Sequence, residues 1–248
     1  MDRVNDIRIG CSGYYYKHWI GKFYSSDARP YRFFEEYVKY FNTVELNATF
    51  YHYPTEKQVA SWINKSPDDF LFSVKMPRLI THKKLLKDCD DNILLFLHLI
   101  KPIKQANKLG AVLVQTPKGL KYNLGLLREF LNKLPWGYRY TFEFRNKEYY
   151  NDEVFELMKE KKMDMAYISG MNYKPCNRVF SDFKYYRMHG IQVRYASDYP
   201  DKELFAIAED IRKVILEGIN RVFVYFNNDY NAYAPKNALR LKEIFSQL

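Results

Sequence analysis

The chain has 248 residues, with 39 Lys and Arg against 29 Asp and Glu, giving a formal net charge of +10. Its 47% hydrophobic and 18% aromatic content excludes a disordered polar chain. The length suits a single (β/α)8 barrel domain over residues 1–248, and no Pro/Gly/Ser-rich linker divides it.

Residues 1–6 are polar and charged, unlike a signal peptide. The longest apolar run, residues 93–100, is broken by His98 and is far too short to span a bilayer. Cys11, Cys89 and Cys176 are odd in number and widely spaced, which fits neither a disulfide framework nor a paired-cysteine metal site. These features predict a cytoplasmic protein with no membrane partner. The excess positive charge has two readings, a surface that steers polyanions or solvated helical faces.

Short runs rich in β-branched and aromatic residues predict strands at 7–11, 43–50, 70–76, 111–115, 140–145, 165–168, 185–189 and 222–227. Helical periodicity fills the intervals. It covers 32–41, then runs from a Thr55–Gln58 capping box through Val59, Trp62 and Ile63, and then covers 94–109, 124–134, 153–161, 202–217 and 238–248. Gly218 reads as a helix stop, and Pro200 and Pro235 as starts. The sixth unit is irregular, because residues 170–183 carry turn residues without a helical stripe. Strand–helix alternation at this length predicts an α/β fold, a TIM barrel. The competing open doubly wound sheet needs a phosphate loop after its first strand, and Gly10-Cys11-Ser12-Gly13 lacks the glycine spacing.

Barrel enzymes place their chemistry where strands end and the following loops begin. Those positions hold Glu45 and Asn47, Ser73 and Lys75 with Thr81 and His82 beyond, Gln115, Glu143 and Arg145, Arg187 and His189, and finally Asn227, Asn228 and Asp229. Residues two apart on a strand share a face, so Glu45, Lys75, Glu143, Arg145, Arg187 and His189 are expected to face one cavity. Val44, Leu46, Phe142, Phe144 and Met188 then point outward to the helices. Charges in a barrel interior need partners or a ligand. One reading pairs them structurally as Glu143–Arg145, Glu45–Lys75 and Arg187–Asp229. The other treats Lys75, Arg145 and Arg187 as binders of phosphate or carboxylate, with Glu45 and Glu143 as an acid/base pair and His189 as a further base.

The loop after the first strand crowds Tyr14, Tyr15, Tyr16, Trp19, Phe23 and Tyr24 among Lys17, His18 and Lys22. Such interleaving suits stacking of bases or sugars beside phosphates, and equally a hydrophobic lid on the barrel rim. Tyr230 and Tyr233 would close the ring of aromatics from the neighbouring loop. Cys11 reads as a small buried residue, and Ser12 lacks the context of a nucleophile elbow.

Gly10-Cys11-Ser12-Gly13-Tyr14, with Tyr16, Trp19, Gly21 and Phe23-Tyr24, resembles the opening motif of the YecE-like family, a domain of unknown function. The stretch from Asn42-Thr43-Val44-Glu45 to Phe50-Tyr51 resembles its second block. Lys75-Met76-Pro77, Ile80-Thr81-His82, Phe142-Glu143-Phe144-Arg145 and Arg187-Met188-His189-Gly190 resemble later blocks. Tyr225-Phe226-Asn227-Asn228-Asp229 with Tyr233-Ala234 resembles the closing block. Tyr14 stands where Trp is usual, and Ala232 stands near an expected Gly. The resemblance implies a TIM barrel and supplies no reaction.

The residues themselves point to a hydrolase or lyase acting on a phosphate- or carboxylate-bearing substrate. Glu45, Glu143 and His189 are the expected catalytic residues. Tyr14, Trp19, Asn47, Lys75, His82, Gln115, Arg145, Arg187, Asn227, Asn228 and Asp229 are the expected substrate-binding residues. The alternative is a non-catalytic nucleic-acid-binding protein that uses the basic face and aromatic rim. A metal-dependent nuclease-like hydrolase joins the two, with a divalent metal on Glu45, Glu143, His189 or Asp229, although no HExxH or close His/Asp pair exists. A sugar hydrolase using Glu45 and Glu143 as its acid/base pair requires their carboxyls to lie roughly 5–9.5 Å apart.

Overall fold

The computed structural model describes residues 6–170 and 176–247. Residues 1–5, part of the polar opening segment, lie outside it, as do residues 171–175 of the irregular sixth unit and residue 248. Among the described residues nine strands follow in order: β1 Asp6–Cys11, β2 Thr43–Leu46, β3 Leu71–Lys75, β4 Leu109–Thr116, β5 Tyr140–Phe144, β6 Asp164–Met165, β7 Tyr167–Ser169, β8 Phe183–Met188 and β9 Arg221–Phe226. Every pairing is parallel, in the order β6-β5-β4-β3-β2-β1-β9-β8-β7. Ala166 separates β6, which pairs with β5, from β7, which pairs with β8. The two pieces act as one sixth stave and bring the ends of the sheet together. The architecture is a nearly closed parallel barrel, as the alternation predicts.

The helices are α1 Phe33–Tyr37, α2 Ala48–Tyr51, α3 Glu56–Lys65, α4 Asp90–Gln105, α5 Leu124–Lys133, α6 Asp152–Glu160, α7 Asp201–Leu216 and α8 Tyr233–Gln247. The Thr55 capping box forms as expected: Gln58 N donates to Thr55 Oγ1 at 3.2 Å, and Thr55 N donates to Gln58 Oε1 at 2.9 Å. The second strand is shorter than residues 43–50. Thr49 Oγ1 donates to Leu46 O at 3.0 Å and to Lys75 O at 2.7 Å, which pins a turn where alternation alone suggests more strand. The chain then coils as α2 and carries Phe50 to the barrel mouth.

The barrel interior is tiered. Leu71, Ala111, Ala166, Phe183 and Phe223 belong to an apolar interior cluster that also contains the rings of Tyr185 and Tyr225. One polar step above, Tyr225 Oη lies 2.5 Å from Thr43 Oγ1 and 2.9 Å from Ser73 Oγ. The period-two pleat then places Glu45, Glu143 and Arg187 in the next tier, with Lys75, Arg145 and His189 toward the strand ends. Val44, Leu46, Phe142, Phe144 and Met188 lie in the separate cluster between strands and helices, as expected.

Two glycines, Gly10 of the opening motif and Gly170 after β7, sit where a side chain has no room. A Cβ on Gly10 would meet Thr43 O at 2.4 Å and Tyr37 Oη at 2.9 Å. Tyr37 Oη donates to Thr43 O at 2.9 Å and accepts from Cys11 N at 2.8 Å, so the phenol bridges β1 and β2. Gly170, at φ +114°, would place a Cβ 2.1 Å from Gly190 O.

Candidate functional site

The centre of the barrel mouth is an ion-pair network built on β2, β5 and β8. Arg187 donates from Nε to Glu45 Oε2 at 2.9 Å, from Nη2 to Glu45 Oε1 at 2.7 Å and from Nη1 to Glu143 Oε2 at 2.5 Å. Its guanidinium therefore lies between the two carboxylates. Ser12 Oγ and Tyr185 Oη each donate to Glu45 at 2.7 Å, so every Glu45 oxygen takes two donors. Arg145 Nη2 pairs with Glu143 Oε1.

Burial opposes ionisation of both glutamates, and the arginines override it. The Arg187 charge, with hydrogen bonds from Arg187, Tyr185 and Ser12, holds Glu45 below the ordinary carboxylate range. Arg187, Arg145 and His189 hold Glu143 well below it. In return the two carboxylates outweigh burial at Arg187 and push its pKa up. Two guanidinium charges cancel two carboxylate charges.

His189 is fully enclosed, and burial lowers it to about 4 despite the Glu143 charge, so its imidazole is neutral at physiological pH. Its Nε2 lies 3.4 Å from Glu143 Oε2, 3.2 Å from Arg187 Nη1 and 3.3 Å from Arg145 Nη2. Its Nδ1 lies 3.2 Å from Asn227 Nδ2, and its ring meets Tyr195.

Lys75 stands apart. It is 9% exposed, donates to Gln115 Oε1 at 2.6 Å, and holds its ammonium 4.2 Å from the Phe50 ring centroid. It forms no ion pair among the described residues. Burial, then the Arg187 charge, lowers it to about 7 against the pull of Glu143 and Glu45. His82 packs edge-on to the same Phe50 ring, with Nδ1 2.8 Å from Thr81 Oγ1. Burial and the Lys75 charge lower His82 to about 4. It sits in a π-helical turn, Leu79–Lys83, a form enriched at functional sites. Asn47 and Gln115 are half-buried, and Asn47 Oδ1 is buried with no hydrogen-bond partner among the described residues.

The structure thus gathers Glu45, Lys75, Gln115, Glu143, Arg145, Arg187, His189 and Asn227, with His82 in the π-helical turn after β3 and Asn47 just past the end of β2. It corrects other expectations. Glu45 pairs with Arg187 rather than Lys75, and Arg187 does not reach Asp229. Trp19 is fully buried among Tyr16, Phe23 and Tyr24, and its Nε1 donates to Asp229 O at 3.0 Å, so its ring is not a stacking surface. The Tyr14 ring packs on Phe34 and Tyr37, and its hydroxyl accepts from Trp62, which commits it to the helix side of the barrel. Asn228 is buried and donates to Ser197 O and Asn237 Oδ1, both at 2.8 Å, tying loops together. The Asp229 carboxylate lies 3.6 Å from His18 Nε2. With Lys22, Tyr195 and Tyr230 it lines a cleft of about 510 Å³ on the rim.

Ser12, Tyr185 and Phe50 are the contributors that sequence reasoning missed. Tyr185 had a signal, because it lies two residues before Arg187 on the same face. Ser12 had none that distinguishes a carboxylate donor from a turn residue. The proposed metal set does not fit a divalent ion. Glu45 and Glu143 are taken by arginines, Asp229 lies by His18, and no group of three or more His, Cys, Asp or Glu side chains that could hold a metal occurs among the described residues. Both carboxylates of the sugar-hydrolase pair are hydrogen-bonded to the one Arg187 guanidinium.

A parallel barrel with a polar network at its strand C-termini defines the TIM-barrel class. Within that class the chain belongs to the DUF72 family, described as proteins of unknown function, whose sequence pattern matches residues 8–248. The UPF0759 protein YecE of Escherichia coli K12 is 35% identical over 117 residues, 47% of this chain and 42% of that protein. The match therefore spans less than half the length of this curated relative. A crystal structure of a DUF72 family protein from Thermotoga maritima superposes with a TM-score of 0.89 at 26% identity, covering 97% of this chain and 99% of that one. A DUF72 family protein from Enterococcus faecalis gives 0.80 at 21% identity, covering 98% and 99%. A family 2 AP endonuclease from Brucella melitensis gives 0.51 at 10%, covering 92% and 94%, a likeness of fold alone.

Proposed function

We propose that the chain is an enzyme of the hydrolase or lyase class that takes a small anionic substrate, bearing phosphate or carboxylate, at the barrel mouth. The observation that carries this reading is Lys75, the one cation of the network, among the described residues, whose charge no carboxylate partner cancels. Protonated, it gives the mouth a net positive charge; deprotonated, it is an amine ready to move a proton or attack carbon at neutral pH. An arriving anion favours the ammonium form. In this reading Gln115, Asn47, Asn227 and His82 orient the substrate. Glu45, Glu143 and Arg187 serve by holding one another and fixing the electrostatic field, and His189 acts as a neutral imidazole. A reducing cytoplasmic setting belongs to the same proposal, supported by three buried free thiols and by the absence, among the described residues, of any helix long and apolar enough to cross a membrane.

Sulfate, whose charge is constant near neutrality, tests the reading by calorimetry. Its affinity should be level below pH 7 and fall about tenfold per unit above it, as expected for binding to one protonated group of that pKa. Loss of binding in Lys75→Met supports the assignment. Binding that is unchanged in that variant and flat with pH contradicts it.

The nucleic-acid reading draws on a different observation, the exposed rings of Tyr15, Tyr51 and Tyr230 together with the exposed Lys17 and Lys22. It predicts salt-dependent affinity for single strands that Lys75→Met leaves unchanged.

A further inference from the structure

We infer that Lys75 is a nucleophile: its amine condenses with the aldehyde or ketone carbon of a small anionic substrate and holds it as an imine in the barrel mouth. This rests on the reading of the mouth as an anion site and narrows the substrate class to anionic carbonyl compounds and the reaction to a lyase type.

The molecule contains its own controls. Three lysines are buried among the described residues: Lys75, Lys108 and Lys184. Lys108 Nζ donates to Ser66 O at 2.8 Å, Ser66 Oγ at 2.8 Å and Pro67 O at 2.6 Å. Lys184 Nζ donates to Asp164 Oδ1 at 3.1 Å, Met165 O at 2.6 Å and Arg178 O at 3.1 Å. Each meets the three donors of an ammonium with three acceptors, which is how a structural buried lysine is satisfied. Lys75 has one acceptor, the amide oxygen of Gln115, and otherwise faces the Phe50 ring. An amide orients the nitrogen without locking in its charge as a carboxylate would. The surroundings therefore suit an amine that spends time neutral with its lone pair available.

The condensation balances with groups at hand. The Lys75 nitrogen lone pair attacks the carbonyl carbon, the C=O π pair moves to oxygen, and the nitrogen gives one of its protons to that oxygen. The carbinolamine hydroxyl then takes one proton from solvent and leaves as water while the nitrogen lone pair closes the C=N bond of the protonated imine. His82, neutral and packed on the same Phe50 ring, is placed to relay those protons. The protonated imine retains a positive charge to pair with the substrate's anionic group.

The test is reductive trapping of the full-length protein at pH 7. Pyruvate or dihydroxyacetone phosphate is added with sodium cyanoborohydride, acetone serves as the neutral carbonyl control, and the adduct is located by peptide mapping. The inference expects one dominant adduct, on Lys75, made with the anionic carbonyls, weak with acetone and suppressed by sulfate. Lys75→Arg, checked for folding by circular dichroism, should lose about tenfold or more of the labelling. The wild-type map decides even if that variant does not fold. Labelling spread over surface lysines overturns the inference. No adduct with sulfate binding intact also overturns it while leaving the anion site standing. No adduct and no sulfate binding removes both.

Discussion

Arg187 holds Glu45 by two parallel hydrogen bonds, Nε to Oε2 at 2.9 Å and Nη2 to Oε1 at 2.7 Å, across the barrel from β8 to β2. Because Nη1 also reaches Glu143, one guanidinium neutralises carboxylates on two other staves. Removing it strands two buried charges. Arg187→Met is expected to lower the unfolding free energy by about 3–5 kcal/mol, the usual cost of breaking a buried pair from one side. Urea denaturation checks this, and a loss under about 1 kcal/mol would mean that the network is more hydrated than its burial indicates.

Lys75 should show the opposite sign. Its folded pKa of about 7 lies below its ordinary 10.5, so the unfolded chain binds more protons between those values and stability rises with pH across that window. Below pH 7 the buried ammonium is a full penalty. Lys75→Met is therefore expected to stabilise the fold at neutral pH by roughly 1–2 kcal/mol while abolishing anion binding. A destabilised variant would make Lys75 a structural group.

His189 shifts stability on the acid side. With a folded pKa of about 4 against an ordinary 6.5, it stays neutral in the fold where the unfolded chain takes up a proton. Stability should fall as pH drops from 6.5 to 4, and His189→Asn should flatten that slope. Glu45 and Glu143, with depressed pKa values, add their loss as pH falls below their ordinary 4.5, where the unfolded chain takes up their protons first. Denaturation midpoints at pH 7, 5.5, 4.5 and 3 separate the two windows, the first three spanning the His189 loss before the glutamates contribute strongly.

Gly10 tests the fold rather than the site. Gly10→Ala drives a methyl into Thr43 O and the Tyr37 hydroxyl, and the overpacking is expected to cost about 1–3 kcal/mol. Relief of that cost by a second change, Tyr37→Phe, would identify the phenol as the crowded partner.

The strand–helix alternation made the barrel legible, and period-two spacing made Glu143/Arg145 and Arg187/His189 legible as inward pairs. The partner of each charge was not legible. Lys75 and Glu45 stand on neighbouring strands, yet the long arginine side chain crosses the barrel and reaches Glu45 in its place. The aromatic loop was ambiguous for a similar reason. Whether Trp19 lies open or buried depends on Asp229, 210 positions away, whose carbonyl takes the indole proton. Phe50, the ring under Lys75, was hidden because residues 43–50 alternate like one strand, and only the hydrogen bonds of Thr49 end that strand early. Ala232 stands near the Gly expected from the family pattern, and its φ of +59° shows that the backbone keeps the left-handed conformation a glycine favours.

The central claim is that Lys75 is a buried amine titrating near neutrality without a carboxylate partner. Proton–carbon correlation NMR of protein labelled at lysine Cε, with Lys75→Arg to assign the resonance, measures this directly. The account predicts a Lys75 midpoint of about 7, moving upward when sulfate is added. A midpoint at the ordinary lysine value near 10.5, unmoved by sulfate, would contradict it.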